Sequence, residues 1–159
     1  MNNSLVVILM GSKSDLDLCQ KIADACKGYG METVLRIGSA HKTAEHVLTI
    51  LGEYEADARP KVYITVAGRS NALSGFTDGA VSAPVIACPP VTDMFGGADV
   101  FSSIRMPSGI APALVLEPAS AALLAAKILG LVDPDVRAAV KKSQKQAAEK
   151  IIQDDQALQ

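Results

Sequence analysis

The chain has 159 residues, a formal net charge of −2, 49% hydrophobic and 20% charged residues, three cysteines and two histidines. That length builds one domain, 1–159, with a core of its own, and no apolar run approaches the roughly 18 residues of a membrane span. Dispersed Lys and Arg with a slightly acidic balance exclude broad electrostatic binding of nucleic acid, and the Cys and His content fits neither a disulfide framework nor a zinc pattern. No metal is expected. Met1-Asn2-Asn3-Ser4 carries no basic region, so no targeting signal is expected and the cytoplasm is the expected location.

Taken in order, Leu5-Val6-Val7-Ile8-Leu9-Met10 is an unbroken apolar, β-rich run, the mark of a parallel strand covered on both faces. Gly11-Ser12-Lys13-Ser14-Asp15 interrupts it. Ser14 or Asp15 then caps a helix through Leu16, Leu18, Cys19, Ile22, Ala23 and Cys26, which Gly28 and Gly30 close. Cys19 and Cys26 share one face of that helix as small buried hydrophobes. A second strand over 32–37 leads into Gly38-Ser39-Ala40-His41-Lys42-Thr43, where Thr43 caps a helix running to about residue 57 with Val47, Leu48, Ile50 and Leu51 on one side.

A third strand over 62–67 ends in Gly68-Arg69-Ser70-Asn71 and is followed by a short helix over 72–81. A fourth strand over 84–87 ends in Cys88-Pro89-Pro90, then a loop over 91–98 contains Gly96-Gly97, with Asp99 as a cap, and 102–110 reads as irregular. After a fifth strand over 113–116, Pro118 opens a helix over 119–129 that is apolar almost all round and must be buried on several sides. The last helix, after Asp133-Pro134, places Val136, Val140, Ala147, Ile151 and Ile152 along one stripe. This arm over 132–157 either packs on another subunit, the preferred reading, or covers its own domain.

Five strands alternating with helices imply an α/β three-layer αβα sandwich: a five-stranded parallel sheet of flavodoxin-like order 2-1-3-4-5 with an extra C-terminal helix. In such sheets ligands bind outside the carboxyl ends of the strands at the switch point. The loops at Gly11, Gly38 and Gly68 all leave strand carboxyl ends, so they are expected to meet there.

Each loop also has a plain structural reading. Gly11 to Asp15 is an ordinary helix start or a phosphate-and-ribose site, with backbone N–H groups as donors and Asp15 accepting from a ribose hydroxyl. Lys13, Lys42 and Arg69 neutralise a phosphate or are solvated charges. His41 is the titrating group at the mouth of the site, while His46, five residues on, does not share its helix face and forms no metal pair. Cys88 is read as a buried small hydrophobe rather than a nucleophile.

Four ordered motifs together resemble a known family: Met10 to Asp15, Gly38 to Thr43, Ala67-Gly68-Arg69-Ser70-Asn71-Ala72-Leu73-Ser74-Gly75, and Arg105-Met106-Pro107-Ser108-Gly109-Ile110. They are similar to those of the phosphoribosylaminoimidazole carboxylases of purine biosynthesis and their mutase relatives. The resemblance implies a homo-octamer of flavodoxin-like subunits, with sites near subunit interfaces, acting on aminoimidazole ribonucleotide (AIR) without metal, biotin, ATP or other cofactor. The mutase branch typically has Arg after the loop-two His and a second His in a Gly/Ala-rich third loop. Here Lys42 follows His41, and Ser74 stands about where that second His would be.

The chain therefore resembles the class II branch, which carboxylates AIR directly with carbon dioxide to the 4-carboxylated ribonucleotide (CAIR). The alternatives are the class I mutase, which moves a carboxyl from N5 to C4, and, more remotely, a flavodoxin-like binding module. By the same resemblance Gly11, Ser12, Ser14 and Asp15 hold the ribose phosphate end, Ser39 and Lys42 complete a phosphate cradle, and Gly68, Arg69 and Ser70 bind substrate, Gly68 and Ser70 on the imidazole side. His41 is the general acid/base, and Pro89, Met106 and Pro107 are apolar candidates for fencing carbon dioxide from water.

Overall fold

The first strand, β1 (Leu5–Met10), is buried along its whole length, as a central parallel strand must be. The computed structural model describes residues 4–91 and 93–158. After β1 come α1 (Leu16–Gly28), β2 (Glu32–Ile37), α2 (Ala44–Glu55), β3 (Lys61–Val66), α3 (Ala72–Asp78), β4 (Val85–Ala87), α4 (Phe101–Ile104), β5 (Ala113–Leu114), α5 (Pro118–Leu129) and α6 (Pro134–Gln156). All strand pairs are parallel and the order is β2-β1-β3-β4-β5, the expected one.

Side chains alternate across β1 and so divide the core into two layers. Val6, Ile8 and Met10 pack with Cys19, Ile22 and Cys26 of α1 and with the alanines of α5; Leu5, Val7 and Leu9 pack with Val47, Ile50 and Leu51 of α2 and Leu73 of α3. This is the three-layer αβα arrangement. In α5, Ala121, Ala122, Ala125, Ala126 and Leu129 are buried, while Leu123, Leu124 and Ile128 are half-buried against the same layer.

Several boundaries differ from expectation. α3 stops at Asp78, with Gly79 as its C-cap residue, and β5 is only two residues long. Residues 101–104 are helical, Asp99 lies inside a 3-10 segment (Met94–Val100), and the cap position of α4 is Val100. Leu48 is largely exposed rather than on the packed side of α2. Asp15 occupies the N-cap position of α1 without a side-chain bond, and Ser12 caps the preceding 3-10 turn (Lys13–Asp15) by accepting from Ser14 N–H.

The first turns of the last helix cover the chain's own domain. Val136 and Val140 are buried in the chain's own core, and Asp133 caps the helix while accepting from Ser4 Oγ at 2.7 Å. Beyond that start Ala147, Ile151 and Ile152 are exposed. No helix among the described residues is long and apolar enough to cross a membrane.

Candidate active site

The site begins where three neighbouring strands end. Gly11 N–H donates to Val66 O and Gly38 N–H to Met10 O, both at 2.9 Å, so the loops after β1, β2 and β3 start side by side. Two glycines allow the backbone to pack tightly here. A Cβ on Gly38 would lie 2.8 Å from Val47 Cγ2, and one on Gly68 would lie 2.8 Å from Pro90 Cγ.

Together the loops enclose a pocket of about 650 Å³, within the usual range for a ligand of nucleotide size. Gly11, Ser12, Ser14, Asp15, Ser39, His41, Lys42, Gly68, Arg69 and Ser70 all line it. In the first loop the Ser12 and Ser14 hydroxyls are 2.9 Å apart. Burial raises the Asp15 carboxyl above its ordinary value, and a hydrogen bond from the Ser12 backbone partly offsets this.

The second loop is a closed turn. Thr43 N–H donates to Ser39 O at 2.8 Å, and Lys42 N–H reaches both Ser39 O and Ser39 Oγ at 3.3 Å. Thr43 holds the N-cap position of α2, yet its hydroxyl does not cap the helix. It accepts from Ser39 N–H instead, at 2.9 Å. The turn thus presents His41 and Lys42 exposed at its tip.

In the third loop Arg69 has a left-handed backbone, φ 62°. Asn71 caps α3 through Ser74 N–H, and Ser74 is buried, bonded to Asn71 Nδ2 at 2.6 Å and Thr65 Oγ1 at 2.7 Å. Ser74 is therefore part of the floor under the loop and does not line the pocket.

Other expectations are redistributed. The motif 105–110 contributes nothing to the pocket: Met106 and Ile110 pack against Gly75 of α3, and Ile110 also against its C-cap residue Gly79. Pro89 lines a second cavity of about 140 Å³ beside the first, and neither Met106 nor Pro107 does. Sequence reasoning missed Pro90, Leu73 and Met94 as pocket walls. Pro90 follows β4, so the strand-end rule was a signal for it; Met94 carried none. Cys19, Cys26 and Cys88 are buried free thiols, pushed up by burial to about 12, 12 and 11, as small hydrophobes rather than nucleophiles.

The model of the family described as AIR carboxylase matches residues 5–150. The chain belongs to the AIR carboxylase family. It is 61% identical over 154 residues to the phosphoribosylaminoimidazole carboxylase of Treponema denticola, covering 97% of each chain. Against that of Archaeoglobus fulgidus the identity is 57% over 152 residues, 96% of this chain and 83% of the other. A bifunctional phosphoribosylaminoimidazole carboxylase/phosphoribosylaminoimidazole succinocarboxamide synthetase of Homo sapiens is 49% identical over 126 residues, 79% of this chain and 30% of that protein. The crystal structure of Treponema denticola PurE superposes with a TM-score of 0.96 at 60% identity, covering 98% of this chain and 99% of that one. This member of the AIR carboxylase family is thus an enzyme of purine biosynthesis, and its sheet order and helices match that relative's fold.

Proposed function

We propose that this chain is a class II AIR carboxylase, a carboxy-lyase that reversibly adds carbon dioxide to C4 of AIR to give CAIR without metal, ATP or other cofactor. The observation that carries this reading is the convergence of His41, at the tip of a hydrogen-bonded turn, with Ser12, Ser14, Asp15, Ser39 and Lys42 in one nucleotide-sized pocket. The sequence resemblance supports the direct reaction over the mutase: Lys42 follows His41, and Ser74, a hydrogen-bonding hydroxyl in the floor under the third loop, stands about where the mutase branch has its second His. Among the described residues no three His, Cys, Asp or Glu side chains stand together as metal ligands would.

The chemistry follows from the ring. The exocyclic amine makes C4 of AIR electron-rich, so C4 attacks the carbon of carbon dioxide and one C=O pair moves onto oxygen as a carboxylate. C4 then still bears its hydrogen. Neutral His41 takes that proton and the C–H pair restores the aromatic ring; in reverse, protonated His41 returns the proton to C4 and carbon dioxide leaves. Imidazole, with a reference pKa of about 6.5, suits both duties. Ser12, Ser14, Asp15, Ser39 and Lys42 hold the ribose phosphate, and Gly68, Arg69 and Ser70 border the imidazole. The enzyme works in the cytoplasm as a homo-octamer with its sites near subunit interfaces.

The test is to mix the protein with AIR and bicarbonate, without ATP, and follow CAIR by absorbance. Formation of CAIR supports the class II reaction. Conversion of the N5-carboxylated ribonucleotide alone overturns it in favour of the mutase.

A further inference from the structure

Arg69 and Phe95 are the two non-glycine residues with left-handed backbones among those described, and Arg69 lies in the site. Side chains rarely occupy that region unless their surroundings impose it. The surroundings here are a buried polar brace. Asn71, 2% exposed, uses its amide fully: Oδ1 accepts from Ser74 N–H at 3.2 Å, and Nδ2 donates to Ser74 Oγ at 2.6 Å and to Ser103 Oγ at 2.9 Å.

Ser102, on α4 and 31 residues further along the chain, closes the brace. Its Oγ accepts from Asn71 N–H at 2.9 Å, donates to Asp99 O at 2.7 Å and lies 3.4 Å from Arg69 O. One hydroxyl thus touches the peptide groups on both sides of Ser70. The loop that carries Arg69 is thus braced by a distant segment as well as by Asn71.

The position so fixed lies on a border. Arg69 lines the polar pocket that holds His41 and also the smaller cavity walled by Pro89, Pro90, Val100 and Leu116. The carboxylation turns an uncharged ring carbon into one bearing a carboxylate, the group a planar guanidinium pairs with through two parallel N–H donors. A guanidinium whose backbone is already fixed loses less freedom when it binds.

We propose that Arg69 takes the carboxylate of the 4-carboxylated ribonucleotide, and that Asn71 and Ser102 are positioning residues that hold Arg69 at this border. The proposal rests on the carboxylation reading of the same pocket. It divides the anionic duties of the site, with Lys42 and the serine loops on the phosphate and Arg69 on the new carboxylate.

The experiment compares the affinities for CAIR and AIR, by calorimetry, in the wild-type chain and in Arg69→Gly, Asn71→Ala, Ser102→Ala and Ser102→Thr. Glycine accepts the left-handed backbone, so Arg69→Gly removes the guanidinium alone. It is expected to weaken CAIR by about tenfold to a hundredfold and AIR by less than about threefold. Asn71→Ala and Ser102→Ala reproduce part of that selective loss, Ser102→Thr keeps the hydroxyl and restores it, and neither alanine change alters the CAIR-to-AIR ratio further once Arg69 is glycine. Should Asn71→Ala fail to fold, Ser102→Ala decides the matter. Equal weakening of both nucleotides, or a ratio that still changes in the Arg69→Gly background, overturns the proposal. A wild-type chain that binds neither nucleotide overturns the functional reading, and this proposal with it.

Discussion

Thr43 Oγ1 and the Ser39 peptide hold each other across the turn that carries His41: the hydroxyl accepts from Ser39 N–H at 2.9 Å and donates to Ser39 O at 3.2 Å. A side chain in the N-cap position of α2 is thereby committed to the loop instead of the helix. Thr43→Val keeps the shape and removes both bonds. Each such bond is worth about 0.5–1.5 kcal/mol, so kcat/KM is expected to fall by about tenfold. Thr43→Ser, which keeps the hydroxyl, stays close to wild type; steady-state kinetics of the three proteins make the comparison.

His41 is the proton carrier of the proposed reaction, and it sits exposed at the loop tip without a structural role in the core. His41→Asn is therefore expected to leave the melting temperature and AIR affinity close to wild type while lowering kcat by about 10²–10⁴-fold. Turnover near the wild-type rate would remove His41 from that role.

Gly68 has room for no side chain, since a Cβ there would meet Pro90 Cγ at 2.8 Å. The ring of Pro90 lines the pocket, so Gly68→Ala forces the loop after β4 against the loop after β3. Overpacking of this kind costs about 1–3 kcal/mol. A lower denaturation midpoint together with a raised KM for AIR is expected, whereas Gly28→Ala, where nothing lies within 4 Å of the added carbon, is expected to show neither.

The Asp133 carboxyl ties the start of α6 to the chain's beginning, and the Ser4 hydroxyl, then the Val136 and Asp135 N–H groups, hold it below the usual carboxylate range. Asp57 is likewise held down, to about 2, by the Arg59 guanidinium. A depressed folded-state pKa means that the unfolded chain binds the extra proton. The stabilisation is complete above the unfolded value of about 3.9 and is lost as pH falls through the folded one. Ser4→Ala removes the first of these bonds, so its acid unfolding midpoint is expected at higher pH than wild type. At neutral pH its melting temperature is expected to drop by about 5 °C.

On α6, Ile151 and Ile152 are 69% and 56% exposed on a helix whose first turns are packed in the core. Replacing both with Lys is expected to leave the helical circular dichroism unchanged and to shift the proposed octamer to smaller species in light scattering. An octamer that survives the double change would place the subunit contacts elsewhere.

How much of this was legible beforehand follows from the range of the interactions involved. The apolar run of β1 and three repeats of strand, polar loop and helix were enough for the parallel sheet and its order, because burial on both faces leaves a local mark in the residues themselves. The loops at Gly11, Gly38 and Gly68 were legible as one site for the same reason: parallel strands put their carboxyl ends on one edge. Local pattern alone assigned neither the motif 105–110, which packs under α3 rather than in the pocket, nor Pro90 and Met94, which do line it. It also assigned Thr43 to the helix it precedes, where Ser39 is the better partner.

Sequence by itself therefore determined the sheet, the three loops that line the pocket and His41 at the tip of one of them. Only the tertiary structure decided the left-handed Arg69, which depends on Asn71 and on Ser102, 31 residues from Asn71, and the division of α6 into a packed start and an exposed end. Periodicity and turn chemistry are properties of a few adjacent residues, whereas these outcomes are settled by hydrogen bonds and burial between segments that meet only when the sheet has formed.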